Sequence, residues 1–279
     1  RQNGAVTGFI DLALERAFNY HEGAPSDAAP VPEVEHAREL EARTAMLEQI
    51  ADFDDTLLEQ LLDDIAPSND LVFADLKCEM QEGLICPVFL GSAEHGYGIG
   101  RLLKALRHEA PSIAETRNRL GLADDAPPCV QVLKTIHTPH GGKLSVSRVL
   151  AGEIADASTL VGAEGAESKI SGIFRLMGTE QTKRNTARTG ETIALGKLDA
   201  ARTGDTLYVS EARGDTAQFL NLAPLPAVAP VMSIGVAPRE RKDDVRLSSA
   251  LARILEEDPS LRLRQVQETG ETVLEGHGE

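Results

Sequence analysis

Apolar residues recur at three- and four-residue steps from about residue 33 to 66, through Leu40, Met46, Leu47, Ile50, Leu57, Leu58, Leu61, Leu62 and Ile65. That period predicts helix, with the intervening acids on the wet face. A shorter helix is predicted over 70–82, with Leu71, Ala74, Leu76 and Met80 turned inward. Residues 84–90 (LICPVFL) form a continuous apolar run, which predicts a strand buried on both faces of a parallel sheet. Helical spacing returns over about 98–108 through Ile99, Leu102, Leu103 and Leu106, and Pro111 closes it. The result is a strand–loop–helix unit of the α/β kind. Ahead of these segments, residues 4–20 predict a short strand with a helical or strand-like continuation. Residues 21–32, rich in Ala, Pro, Ser and Asp, predict a surface loop.

The texture changes after a polar linker at 116–127. Short β-type segments (VQVLKTI, KLSVSRVLA, KISGIFRLM, ETIALGKL and DTLYVS) alternate with turn signals up to about residue 224, which predicts a barrel or sandwich. The echo RTGET at 188–192 and RTGDT at 202–206 reads as two similar turns. A Pro-rich linker at 224–230 precedes a strand at 231–237, a helix at about 243–257 and a hairpin at 261–274 that turns at Thr269-Gly270-Glu271. That β-α-β-β order is the first part of a ferredoxin-like βαββαβ domain.

Composition narrows the function classes. A net charge of −16 argues against a broad nucleic-acid-binding surface. The acids crowd into residues 33–82, where only Arg38, Arg43 and Lys77 oppose them. Basic residues gather later, at Lys183, Arg184 and Arg188, then at Arg239, Arg241, Lys242 and Arg246, so a local basic face can still meet phosphate. With aromatics at 4% and no Trp, the cores must be largely aliphatic. Cys78, Cys86 and Cys129 make no CxxC pair, which fits a reducing compartment. No apolar run is long enough to cross a bilayer.

Candidate chemistry is sparse. Gly96-Tyr97-Gly98-Ile99-Gly100 lacks the Lys of a phosphate loop and reads as a turn ahead of a helix. His137 and His140 lie three apart, and His95 stands alone; neither has the convergent partners a metal needs, so no metal site is assigned. Glu256-Glu257-Asp258 sit at the unfavourable end of a helix dipole, which leaves room for an interaction role. No nucleophile–base pair stands out, and no catalytic residue is assigned.

Several segments together resemble the translational GTPases of the elongation factor G family. CPVFLGSAEHGYGIGRLLKALRHEAPSI at 86–113 resembles the last strand, guanine loop and closing helix of the family's GTPase domain. GGKLSVSRVLAGEI at 141–154 and ARTGETIALGKLDAARTGDTL at 187–207 resemble its barrel domain. LSSALARILEEDPSLRLRQVQETGETVLEGHGE at 247–279 resembles its third domain most specifically. The ending Gly-His-Gly-Glu departs from the commoner Gly-Met-Gly-Glu, which leaves both the main translocase and a divergent paralogue open.

The resemblance implies a multidomain α/β + β chain. Residues 1–115 would be the C-terminal part of a GTPase domain with an acidic helical insert. Residues 126–225 would be a translation-factor-type β-barrel, and 229–279 a truncated ferredoxin-like domain. Gly91, Ser92 and Ala93 match the loop whose backbone amides face the guanine base. The sequence has no P-loop, switch segments or Asn-Lys-x-Asp motif, and it opens at Arg1, so the expectation is an internal fragment. The parent would bind GTP and Mg²⁺, act in the cytoplasm and drive translocation on the ribosome. The fragment would hold no cofactor and would not hydrolyse GTP. Its expected partners are small-subunit RNA and protein and the ribosomal stalk proteins, with no membrane and no DNA. Two alternatives stay open: a ribosomal-protection or release factor three-like GTPase, and a binding scaffold without nucleotide. Residues 247–279 are expected to bury an incomplete core and to be the least stable part of the chain.

Overall fold

The computed structural model describes residues 6–138, 142–162, 165–212, 222 and 228–278. Two compact units divide the chain, Arg1–Ser112 and Ile113–Glu279. His140, Gly141 and residues 224–227 of the Pro-rich linker lie outside the described residues.

In the first unit, β1 (Gly8–Asp11), β2 (Arg16–His21) and β3 (Ala24–Ala29) form an antiparallel sheet in the order β1-β2-β3. Much of the loop expected at 21–32 is therefore strand: the short side chains of 24–29 leave the backbone open to pair with β2. The long helical stretch divides into α1 (His36–Ala51) and α2 (Asp55–Leu62). The break is chemical, because Asp54 takes an extended conformation and its carboxylate accepts the Leu57 N–H at 2.8 Å as an N-cap. Helix α3 (Asn69–Glu82) begins on Ser68 in the same way and ends at left-handed Gly83. The three helices share a core of Leu47, Ile50, Ala51, Leu57 and Val72, with Ala13 from the β1–β2 turn. Buried Arg43 of α1 fastens that turn by donating to the carbonyls of Leu12 and Ala13.

Residues 84–90 differ from expectation. No strand forms there, and Val88 and Leu90 are 82% and 69% exposed. A parallel strand needs ladder partners on its flanks, and the described residues bring none to this run. Helix α4 (Ile99–Glu109) follows as expected, with Leu102, Leu103 and Leu106 exposed.

The second unit opens with α5 (Ile113–Arg119), which occupies the start of the expected linker. The β segments then appear as β4 (Cys129–Thr138), β5 (Gly142–Ala151), β6 (Glu153–Ala155), β7 (Thr159–Val161), β8 (Glu167–Lys169), β9 (Ile173–Met177) and β10 (Glu180–Arg184). They continue as β11 (Thr186–Arg188), β12 (Thr192–Gly196) and β13 (Thr206–Val209). Eight of them make one antiparallel sheet, β10-β9-β12-β5-β4-β13-β7-β8, while β11 and β6 pair separately. This differs from the closed barrel of the expectation. Among the described residues the sheet stays open, since its end strands β10 and β8 do not pair. One aliphatic core nonetheless gathers both the sheet and the ribbon, through Val130, Val149, Ile154, Ile173, Ala187 and Leu195.

The chain's last part runs β14 (Met232–Val236), α6 (Asp244–Glu257), β15 (Arg262–Gln265) and β16 (Thr272–Gly276), the expected β-α-β-β order. The strands lie antiparallel as β14-β16-β15. Register puts Ile234, Leu274 and Leu263 side by side on one face of the sheet, where Ile234 and Leu263 remain 56% and 43% exposed.

Candidate functional site

The Gly91-Ser92-Ala93 segment leads a tight loop that returns on itself at Tyr97. The Ser92 N–H donates to the Tyr97 carbonyl at 2.9 Å, and the two residues form an isolated antiparallel bridge. Two glycines permit the closure. A Cβ on Gly91 would stand 2.6 Å from the Tyr97 oxygen, and one on Gly98 would stand 2.3 Å from the Leu90 oxygen. Gly98 also has φ +73°, a left-handed conformation that disfavours any side chain. Its carbonyl accepts the Leu102 N–H at 3.0 Å, so the loop feeds directly into α4.

An aromatic ladder that sequence reasoning missed supports this loop. Tyr20 of β2 stacks on Tyr97 at 4.8 Å with the rings 5° apart, and His95 lies against Tyr97 at 5.2 Å. Phe9 and Phe18 extend the row, stacked at 5.0 Å. The Tyr20 hydroxyl donates to the Leu90 carbonyl at 3.0 Å, and burial raises its pKa. The alternation of 16–21 could have shown that Phe18 and Tyr20 share a strand face. Nothing local links them to Tyr97, which is far along the chain.

The loop presents Gly91 and Ala93 to solvent and keeps Ser92 half-buried. Because the Ser92 amide already bonds Tyr97, it is not the group of the three that can donate outward. What the loop offers is a backbone that small side chains leave open to close approach. Arg101 of α4 is paired with Asp11 at 2.6 Å.

The helices hold a second feature that the acidic pattern hid. Asp75 and Glu79, four apart on α3, are 8% and 4% exposed, and both Glu79 carboxylate oxygens lack hydrogen-bond partners. Burial raises the pKa of Asp75, and the charge of Asp54 and a hydrogen bond to it add to the shift. Burial also raises Glu79, assisted by the charges of Asp75, Asp54 and Glu82. These acids are therefore not all on a wet face. Among the described residues no group of His, Cys, Asp and Glu is arranged to hold a metal ion. His137 contacts glutamates of α6 instead, while His140 lies outside the described residues.

Comparison with known proteins agrees with these folds. The family pattern described as Elongation Factor G, domain III matches residues 227–279. An elongation factor G-like protein of Synechocystis sp. is 41% identical over 98% of this chain and 39% of its own length. An elongation factor G of Fervidobacterium nodosum is 31% identical over 98% of this chain and 40% of its own length. A crystal structure of a protein from Thermus thermophilus superposes with a TM-score of 0.74 at 29% identity, covering 100% of this chain and 40% of that one. The chain thus spans about two fifths of the length of the curated relatives it matches. Similarity to elongation factor G and elongation factor G-like proteins thus runs through both units, and residues 227–279 match the family's domain III.

Proposed function

We propose that this chain is a portion of an elongation factor G-like, ribosome-dependent GTPase that acts in translocation during protein synthesis. The observation that carries the reading is identity of 41% sustained over 98% of the chain, across helical insert, β sheet and β-α-β-β segment alike. A shared binding module alone would leave the likeness confined to one of these parts. Within the reading, residues 1–115 belong to a GTPase domain, 126–225 to a translation-factor barrel and 229–279 to a ferredoxin-like third domain. The strand order β14-β16-β15 fits a split βαβ arrangement.

Exposed apolar side chains support the first assignment. Val88, Leu90, Leu103 and Leu106 are at least half exposed, and a cavity of about 470 Å³ lies between 85–90 and the helices, lined by Phe9, Ile50, Phe73 and Met80. Such a patch is covered in a folded domain, and the GTPase sheet is the proposed cover.

GTP and Mg²⁺ are the proposed ligands of the whole protein. The Gly91–Ala93 loop fits the base side of GTP, where small side chains let backbone approach. The phosphates and the metal have no counterpart here, because the sequence contains no GxxxxGK[ST] pattern. Bound GTP would supply the free energy of a hydrolysable phosphoanhydride. This chain's own residues would contribute only to seating the base. The acidic helices would meet basic stalk proteins by charge, and the basic residues of the barrel would meet small-subunit RNA. Protein synthesis places the molecule in the cytoplasm, and no helix among the described residues is long and apolar enough to cross a membrane.

Two measurements test this reading. The chain should co-sediment with small ribosomal subunits, more strongly as salt is lowered, and should release no phosphate from GTP. Absence of binding at low salt would overturn the ribosomal assignment, and turnover of GTP would overturn the division of the nucleotide site.

A further inference from the structure

The acids that end α6 sit where a helix dipole disfavours them, and its last turn carries no basic residue to offset them. Their contacts explain the placement. His137 of β4 and Lys143 of β5 are direct cross-strand partners, so their side chains leave the same face of the hairpin. One oxygen of Glu256, Oε2, lies 2.8 Å from His137 Nε2 and 3.4 Å from Lys143 Nζ. Beside it, Glu257 Oε1 accepts the backbone N–H of His137. Asp258 continues the series: its carboxyl is held down by Ser260 hydrogen bonds, with further help from the charges of His277 and Lys134.

Lys143 needs this arrangement. Its side chain is 7% exposed, and the carbonyls of Asp199 and Ala201 accept from Nζ at 3.1 and 2.8 Å. Carbonyls satisfy the donors but do not neutralise the charge, and a buried ammonium is costly without a counter-ion. Glu256 supplies that counter-ion. Burial pushes its carboxyl up, but the His137 hydrogen bond and the Lys143 ammonium outweigh that and lower its pKa.

Few apolar side chains are buried on this side. Among the described residues of 228–278, Leu251 is the one large apolar side chain that is fully buried, while Val245, Ile254 and Ile234 are exposed. We propose that Glu256 and Glu257 form an ionic latch that holds α6 and its three-stranded sheet against the tip of the β4–β5 hairpin, and that the two part there as a unit when the latch is broken. The inference goes beyond the ribosomal reading and stands without it, because every contact lies within residues 113–279.

The test is residue-resolved amide exchange on the whole chain with Glu256→Gln and Glu257→Gln combined. The substitutions keep side-chain size and remove the charges. The expected result is roughly tenfold loss of protection at the His137 amide and at residues 254–258, the scale of one charge-assisted hydrogen bond. Amides of β9 and β12 should be unchanged. Unchanged protection at His137 and 254–258 would overturn the latch. Equal loss in β9 and β12 would also overturn it, since the contact would then belong to one cooperative body. The single variant Glu257→Ala separates the two acids: it removes the acceptor of the His137 N–H and should expose that amide, and its failure to do so would likewise count against the latch.

Discussion

Replacing Glu79 by Gln should stabilise the helical part of the first unit at neutral pH. Glu79 is 4% exposed, both its oxygens are unpartnered, and Asp75 lies one helical turn before it. Like charges four apart on a helix repel, and Asp54 adds a further negative charge. Gln keeps the shape, removes the charge and offers an N–H₂ to the Asp75 carboxylate. An unsatisfied buried polar group costs about 1–3 kcal/mol, more when charged. The variant should therefore gain about 1–3 kcal/mol at pH 7, read as roughly five- to hundredfold greater protection of α3 amides in hydrogen exchange. The pH dependence has a definite sign. Glu79 and Asp75 have folded pKa values above the unfolded ones, so their contribution is fully present below the unfolded carboxylate pKa of about 4 and is lost as pH rises through the raised values. At pH 4 the native carboxyl is largely protonated, and the advantage of Gln should shrink toward zero. A variant less stable than the parent at pH 7, or one with an equal gain at pH 4 and pH 7, would refute the reasoning.

Four further outcomes are expected. Gly98→Ala forces a Cβ to 2.3 Å from the Leu90 oxygen at a positive φ, and should cost about 1–3 kcal/mol locally, measured as faster exchange across 90–98. Tyr20→Phe keeps the stack on Tyr97 but removes the hydrogen bond to Leu90, so it should cost about 1 kcal/mol and raise exchange at Ser92 less than Gly98→Ala does. Cys129 is fully buried with its thiol pushed up to about 11 by burial; iodoacetamide at pH 8 should modify it only on unfolding, while exposed Cys78 and Cys86 react in the native chain. Amides of β14, β15 and β16 should exchange faster than those of β5 and β12, because one face of the three-stranded sheet leaves Ile234 and Leu263 open; equal protection would show that the thin core is not limiting.

Elements carried by local periodicity were legible. Helix α6 and the β15–β16 hairpin appear within a residue or two of expectation, since Leu251 and Leu255 mark a helical stripe and Gly270 takes the positive φ its turn requires. The 33–66 stretch shows the limit of that signal. Its apolar period continues across residues 52–54, and only the competition between side-chain capping by Asp54 and continued helix decides the break. LICPVFL misled for a different reason. An apolar run records that a segment is to be buried, but strand formation also requires neighbours to complete its hydrogen bonds, and the described chain brings it none.

Charge proved harder to read than hydrophobicity. A helix face is recognised from residues three and four apart, whereas an ion pair depends on groups whose separation in sequence has no period. Glu256 meets His137 across 119 positions, and a neutral hydrogen bond is equally hidden, since the Tyr20 hydroxyl meets Leu90 across 70. Within α3 the reverse holds: Asp75 and Glu79 follow the solvent-face pattern locally, yet the folded unit buries them. The misplaced acids at the end of α6 were an electrostatic signal visible in advance. It was visible because a helix dipole is itself local, so a violation of it points to a partner elsewhere in the chain without saying which. Lys143 answers that question only in three dimensions, where burial makes a counter-ion obligatory and the β4–β5 register fixes the face on which it must arrive.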